Sequence, residues 1–507
     1  MIYTHSIGRA MQYFPHHTAV LRDGEPMTFV ELDTRVRRIA TALRRHGLQS
    51  GERLAFLMPN GVDYIELVYA CSLLGVIAVP INTRYARPEI DRLLEDSQPR
   101  GLIRHSKFPA PTAPPDWEHL IDLETLDEID EQPHPGELYD PDAILVLLYT
   151  SGTTGQPKGA ALTHSNIFSN IHDLNYWLEY RKEAVFLHAS PMFHIADFPA
   201  MFAAPVFGAA QTTLPRFDPA SFCEAVEASR VTHTVLVPSM IRMICQFEDL
   251  HKYNLESLDL VAYGGAPIAS ALVREIRRLL PKIKLLQVYG LSEAGFLTGL
   301  TDAEHANERL QSCGRPCPGI DLKVVTPDGK PAISGEVGNL VARGPGIMVG
   351  YWHDIDEDLP KDDSSVVETA EAFTNGFFQT GDIGLQDKDG YFYIVDRAKE
   401  MIVSGGENVY SGEVEAAIYE LPQVKEVAVF GIPDEKWGEL VAAAVVLLPG
   451  TNLSAEELTL HCKMRIASYK VPRYIEFMTE ELPKSGSGKI LKRVLREKYW
   501  VGQTRRV

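Results

Sequence analysis

Apolar and polar positions along the chain switch between two rhythms. Thr28–His46 reads as a helix, Arg53–Pro59 as a strand and Val62–Leu74 as a helix again. Val76–Pro80 then reads as a strand, Pro88–Asp96 as a helix and Gly101–Arg104 as a short strand. Leu67–Ile81 is a long apolar stretch, but Ser72, Gly75 and Pro80 divide it into helix, turn and strand. The same rhythm returns with strands at Ala184–Ala189, Gln211–Leu214, Thr232–Pro238, Leu258–Tyr263 and Ile283–Tyr289. Between them Ala220–Ser229, Ser239–Phe247 and Ile268–Leu280 read as helices. Two βαβ runs predict two similar layered subdomains, each a parallel sheet covered by helices. From Ile320 to Tyr393 short strands and Gly-rich turns take over, as in hairpins or a barrel-like sheet.

A separate small α+β unit is expected after Asp396. Ser411 is placed to N-cap a helix carrying Val414, Ala417, Ile418 and Leu421. Strands at Val427–Phe430 and Leu440–Leu448 follow, then a capping box, Ser454-x-x-Glu457, and a strand at Tyr474–Met478. The tail from Lys484 holds eight basic residues and one acidic one, and reads as helical after Lys489. The fold class is therefore α/β: a large N-terminal domain of two βαβ subdomains and a barrel-like β subdomain, with a small C-terminal α+β domain.

Composition narrows the class. A chain of 507 residues is too long for one core. Apolar residues make up 45% and charged residues 23%, ordinary globular values that exclude a disordered or fibrous chain. The formal net charge of −19 argues against a general nucleic-acid partner. The N-terminus has no basic stretch followed by an apolar one, so no secretory signal is expected. The compact apolar runs, Ala143–Tyr149 and Val441–Leu448, are strand-length, so no integral membrane segment is expected either. Six cysteines do not make a disulfide scaffold, and Cys313-x3-Cys317 stands alone, which argues against zinc. A soluble, reduced, cytoplasmic protein, monomer or homodimer, is the expectation.

The strongest chemical signal is YTSGTTGQPKGA, Tyr149 to Ala160. An apolar strand runs into Thr150, Ser151, Gly152, Thr153, Thr154 and Gly155, followed by Lys158. Glycines let backbone N–H groups approach an anion, hydroxyls add donors and the lysine adds charge, which suits a triphosphate. The Walker spacing is absent, because Gly159 follows the lysine. A flexible turn is the competing reading. Further along come SPMFH (Ser190–His194), YGGAPI (Tyr263–Ile268) and VYGLSEAG (Val288–Gly295). They are followed by QTGDIG (Gln379–Gly384), DRAKEMIVSGGENVY (Asp396–Tyr410) and PKSGSGKI (Pro483–Ile490).

In this order the motifs resemble those of the adenylate-forming superfamily of acyl-CoA synthetases, 4-coumarate–CoA ligases, luciferases and adenylation domains. The resemblance covers nearly the whole chain. It implies that ATP and a carboxylate give an acyl-AMP and pyrophosphate, and that a thiol, here coenzyme A, then displaces AMP. It implies Glu293 as the Mg²⁺ carboxylate, with Ser292 near the α-phosphate. Tyr289 and Gly290 would lie with Gly264, Gly265 and Ala266 around the adenine, with core packing as the rival reading for Tyr289. Asp382 would take the ribose hydroxyls and Arg397 the ribose or phosphate, unless they form a surface ion pair. Lys489 would carry adenylation, meeting the carboxylate oxygen and the α-phosphate as charge develops. The resemblance further implies a mobile small domain, residues 399–507, turning on a hinge at Lys399 against residues 1–398. Ser404, Gly405 and Gly406 would line the pantetheine tunnel and His194 would gate it, a core histidine being the alternative. Arg84, Trp437, Tyr469 and Arg473 are the candidates for the coenzyme A nucleotide.

The acyl pocket draws by analogy on His194–Met201, Val237–Ile241 and Leu291–Thr298. Phe198, Met201, Met240, Phe296 and Leu297 are apolar, and these stretches hold no Lys or Arg. A second carboxylate buried there would lack a partner, so a hydrophobic monocarboxylic acid is expected, fatty before aryl. Asp197 either faces solvent or a backbone amide, or recognises a substrate hydroxyl or amine. His353–Glu371, with eight carboxylates and one lysine, reads as a solvated loop. Within it DIDEDLPKDD is an insertion of roughly ten residues that the expectation keeps off the motif residues. Three functions compete: a ligase making acyl-CoA from a fatty or aryl acid, a standalone adenylation enzyme loading a carrier protein, and a nucleotide sensor without catalysis.

Overall fold

The computed structural model describes residues 2–108, 119–122, 132–136, 140–151, 157–266, 268, 270–305, 309–355, 368–397, 400–404, 407–434, 436–484 and 490–501 (119–122, 151 and 157 in backbone only). The two βαβ runs become two large sheets. In the nine-stranded sheet six strands are parallel, ordered Lys284–Leu291, Leu260–Gly264, His233–Leu236, Val185–His188, Ala210–Thr213 and Thr18–Arg22. Antiparallel strands extend both edges. In the seven-stranded sheet Ile144–Ser151, Ile77–Pro80, Arg53–Leu57, Gly101–Arg104 and His119–Asp122 run parallel. Alternate residues of a strand serve different cores: Leu54 and Phe56 join one, Ala55 and Leu57 another.

The helix Val62–Leu74 shows why a sequence apolar on all sides must be enclosed. Twelve of its residues are buried, ten of them in one core shared with strands of both large sheets. Its one buried carboxylate, Glu66, accepts a two-pronged contact from Arg35 at 2.7 and 3.1 Å. The helix Phe29–Arg45 starts where the sequence says it should. The Thr28 hydroxyl accepts from the Glu31 N–H at 3.3 Å, and the Glu31 carboxylate accepts from the Thr28 N–H at 2.7 Å.

Strands Asp321–Val325, Gly338–Arg343, Phe373–Thr374 and Phe392–Arg397 form a five-stranded antiparallel sheet around Phe377–Gln386. The C-terminal unit has its own five-stranded sheet, dominated by the hairpin Val424–Asp434 with Gly438–Leu447. Its two faces split by alternation: Val427, Val429, Val441 and Ala443 pack one way, Ala428, Phe430, Ala442 and Ala444 the other. Both strands of this hairpin run beyond the expected Val427–Phe430 and Leu440–Leu448 pair at their turn end. Gly431 and Pro433, which look like breakers, are held in register opposite Val441 and Glu439. Ser411 is not an N-cap. It is the first residue of the helix Ser411–Tyr419, after Tyr410, and its hydroxyl donates to Asp396 at 3.0 Å. Lys492–Glu497 is the tail helix, with Leu495 buried and Val494 exposed. No helix among the described residues is long and apolar enough to cross a membrane.

Candidate active site

The candidate phosphate motif is carried by two paired strands. Strands Ile144–Ser151 and Pro157–Thr163 pair antiparallel, which sets Thr150 opposite Lys158 and Tyr149 opposite Gly159. A Cβ on Gly159 would stand about 3 Å from the Tyr149 ring, so the glycine makes room for it. Gly152, Thr153, Thr154, Gly155 and the Ser151 side chain lie outside the described residues, as do Lys399, Gly405, Gly406 and Lys489.

Glu293 sits in the turn between Lys284–Leu291 and Gly295–Leu300, where a parallel strand of the nine-stranded sheet ends. The turn is locked from behind. Asn170 accepts from the Phe296 N–H at 3.0 Å and donates to the Gly346 carbonyl at 3.1 Å. Gly295 is obligatory here, with φ +63° and Asn170 Oδ1 only 1.6 Å from where a Cβ would go. Gly290 faces the Gly295 carbonyl at 2.0 Å in the same sense, and Ser292 is half-buried beside Glu293. The Met348 N–H donates to the Glu293 carbonyl at 2.8 Å. Two residues on, Gly350–Tyr351 pairs with the strand that carries Lys158. Tyr351 therefore stands between the two motifs. Its hydroxyl donates to the Glu293 carboxylate at 3.2 Å, and its ring lies 5.3 Å from the Lys158 ammonium. Burial pushes the Glu293 carboxyl above its ordinary range, with Tyr351 and Arg397 opposing the shift. A half-buried carboxylate that accepts from a tyrosine fits a hard divalent ion, which would offset its desolvation.

The nucleoside candidates meet on the other side. Asp382 lies directly opposite Arg397 across the strands Phe377–Gln386 and Phe392–Arg397, with Nε 3.2 Å from the carboxylate. Its other oxygen accepts from the Tyr289 hydroxyl at 2.7 Å. Asp382 is 3% exposed, so this is no surface pair, although the Arg397 side chain is 44% exposed. The Tyr289 ring is 9% exposed and belongs to the large core. Gly264 ends its strand against the Val288 carbonyl, 2.3 Å from where a Cβ would go, and Gly265 follows at φ +76°. Ala266 comes next, half-buried.

His194 is half-buried in the turn after Val185–His188, and its Nδ1 accepts from the Ala196 N–H at 3.3 Å. Burial lowers the imidazole to about 4, so it is neutral at pH 7. Asp197 corrects the sequence reading: it is fully buried and paired with His188, whose Nε2 lies 2.9 Å from Gln211. Phe198 and Met201 are fully buried in the large core, and Phe296, Leu297 and Met240 are also buried. In the C-terminal unit Arg473 lies 4.4 Å and Lys436 4.9 Å from the Trp437 ring. Tyr469 packs into the small core. Arg84 follows the strand Ile77–Pro80, with its N–H on Asn82.

Of the acidic segment, residues 356–367, with most of the insertion, lie outside the described ones, and each described flank makes one ion pair with the large domain. His353 is 3.7 Å from Asp96, and Glu368 pairs with Lys158 at 2.6 Å. Sequence reasoning gave no role to Tyr351, Glu368 or Asn170.

The chain matches the AMP-binding enzyme family over residues 8–352 and the AMP-binding enzyme C-terminal domain over residues 413–489. It belongs to this family. Membership carries the AMP-forming acid–thiol ligase class, to which the relatives below belong. It is 37% identical over 495 residues to a feruloyl-CoA synthase of Amycolatopsis, covering 97% of this chain and 98% of the relative. It is 34% identical over 488 residues to the long-chain-fatty-acid–CoA ligase FadD13 of Mycobacterium tuberculosis, covering 93% of each. The fold matches the o-succinylbenzoate coenzyme A synthetase MenE of Bacillus subtilis solved with ATP and a magnesium ion. That match has a TM-score of 0.84 and 30% identity, covering 96% of this chain and 98% of that one.

Proposed function

We propose that this acid–thiol ligase activates a hydrophobic monocarboxylic acid. The observation that carries the reading is Asp197. Apart from His194 and Glu293 it is the ionisable side chain of the acyl stretches, and it is spent on His188. With no Lys or Arg in those stretches, a second substrate carboxylate would be buried without a partner. Medium or long fatty acids suit the apolar residues at Phe198, Met201, Met240, Phe296 and Leu297. The resemblance to a feruloyl-CoA synthase favours an aryl acid as the second reading.

In this reading Thr150, Ser151, Gly152, Thr153, Thr154, Gly155 and Lys158 hold the triphosphate. Asp382 keeps acceptor capacity on both oxygens for the ribose hydroxyls, and Arg397 stands beside it. Gly264, Gly265, Ala266, Tyr289 and Gly290 surround the base, and Ser292 donates towards the α-phosphate. Mg²⁺ on Glu293 supplies neutralisation of the phosphate charge. Lys489 stabilises charge where the acid oxygen meets the α-phosphate. Residues 399–507 then rotate on Lys399 against residues 1–398. Gly405 and Gly406 admit pantetheine past His194, and Trp437, with Lys436 and Arg473 on its ring, receives the coenzyme A nucleotide.

The test is a panel from acetate to palmitate, with coumarate, ferulate, benzoate and succinylbenzoate, read by coenzyme A-dependent AMP release. Each added methylene should raise kcat/KM about fourfold until the pocket fills. Preference for ferulate or coumarate over every fatty acid would select the aryl reading. Strong succinylbenzoate turnover would overturn the monocarboxylic one. Pyrophosphate exchange without coenzyme A-dependent AMP release would point to a carrier protein instead.

A further inference from the structure

The contact between Glu368 and Lys158 belongs to none of the roles above. The Lys158 side chain is 17% exposed and that of Glu368 34%, and their charged atoms are 2.6 Å apart. Glu368 opens the short helix Glu368–Ala372, which is held on two sides. The Tyr351 N–H donates to the Thr369 hydroxyl at 2.9 Å, and the Thr369 N–H donates to Asp354. Behind the helix Phe373–Thr374 pairs with Phe377–Gln386. Gly350 leaves the space that Thr369 and Ile355 fill, with a Cβ there meeting them at 2.8–3.1 Å. Glu368 is thus carried to Lys158 by packed structure on the flank of the acidic segment.

A carboxylate seated on this ammonium makes the same kind of contact that a phosphate oxygen would make there. The two anions also repel each other, so a triphosphate reaching Lys158 has to displace Glu368. We propose that Glu368 sets nucleotide affinity: it competes with the polyphosphate for Lys158, weakening ATP binding and hastening release of pyrophosphate. It is a positioning residue that acts through Lys158 and takes no part in the chemical step. This rests on reading Lys158 as a phosphate contact.

The experiment uses the full-length protein with Glu368→Gln, a near-isosteric change that keeps the helix. Coenzyme A-dependent AMP release is followed at fixed acid over a range of MgATP, and again with added pyrophosphate. The expected result is a two- to fivefold lower KM for ATP, about the range of a partly exposed ion pair, and similarly tighter pyrophosphate inhibition. KM for the acid and the melting temperature should not change. The difference from the parent should shrink at 0.5 M salt, where exposed charges are screened. An unchanged or higher KM for ATP would overturn the proposal. So would a fall in melting temperature with a parallel change in the acid KM, which would make Glu368 a packing residue. Lys158→Met separates the two levels. If it raises the ATP KM while Glu368→Gln does nothing, the competition is refuted and the phosphate reading stands. If Lys158→Met leaves the ATP KM unchanged, the reading of Lys158 itself fails, and the proposal with it.

Discussion

Around Glu293 the large domain gathers carboxylates with acceptor capacity to spare. Around Lys492 the C-terminal unit gathers Glu415, Glu400 and Asp396 and satisfies two of them, Glu415 and Asp396, from the backbone. The Lys492 ammonium, its side chain 11% exposed, lies 2.8 Å from Glu415, 3.2 Å from Glu400 and 2.6 Å from the Ser411 hydroxyl. Glu415 also accepts from the Val429 N–H, and Asp396 accepts from the N–H groups of Arg397 and Ser411. This knot ties the strand Phe392–Arg397, the helix Ser411–Tyr419 and the tail helix Lys492–Glu497 together. By contrast, the side chain of Glu293 accepts from a single side chain, Tyr351, among the described contacts. Both clusters are partly buried and both raise carboxyl pKa values by burial. What separates lock from site is the hydrogen-bonding capacity left over for a ligand.

The sharpest way to break that contrast is Lys492→Met. It leaves buried carboxylates without their cation and should cost about 3–5 kcal/mol. The C-terminal unit should become sensitive to limited proteolysis while the large domain still binds ATP. Unchanged proteolysis would mean the knot is no lock.

Next in size is Lys489→Ala, which should lower adenylation about 10²–10³-fold and spare thioester formation from supplied acyl-AMP. Gly406→Leu should give the opposite pattern, with pyrophosphate exchange kept and coenzyme A turnover lost. Equal loss of both half-reactions in either variant would remove the division of labour assigned to these residues. Tyr351→Phe takes away the hydroxyl on Glu293 without touching the Lys492 knot. It should raise the Mg²⁺ needed for half-maximal rate about tenfold, as loss of an outer partner does. An unchanged Mg²⁺ requirement would say that Glu293 needs no such support.

The smallest effect concerns pH. His194 titrates near 4 in the folded protein and near its ordinary 6.5 when unfolded. Between those values the unfolded chain binds the extra proton, so this contribution to stability falls as pH drops from about 6.5 to 4 and is flat above. The parent should lose melting temperature relative to His194→Gln across that window only. A difference that grows between pH 7 and 8 instead would contradict a neutral, desolvated imidazole.

Much of the fold was legible because local rules and packing agreed. Val62–Leu74, Gly101–Arg104 and Tyr474–Met478 have the limits their apolar periods predict. Ser454 caps its helix through the box read from the sequence, while Thr28, read as the first residue of its helix, is the cap. Legibility failed where a partner distant in sequence decided the outcome. Ser411 has the chemistry of an N-cap but is claimed by Asp396 and Lys492. Gly431 and Pro433 would end an isolated strand, yet the long hairpin carries them.

The sequence by itself determined the family, the two parallel sheets and the order of the motifs, because each is encoded in residues close together along the chain. Only the tertiary structure decided that Asp382 answers Arg397 and Tyr289 at once, that Tyr351 joins Glu293 to Lys158, and that Asp197 is turned inward onto His188. It also brought Glu368 to Lys158. The physical reason is the same throughout. Charge and hydrogen-bond capacity are properties of a residue, but the partner that uses them is set by strand register and packing between segments far apart along the chain.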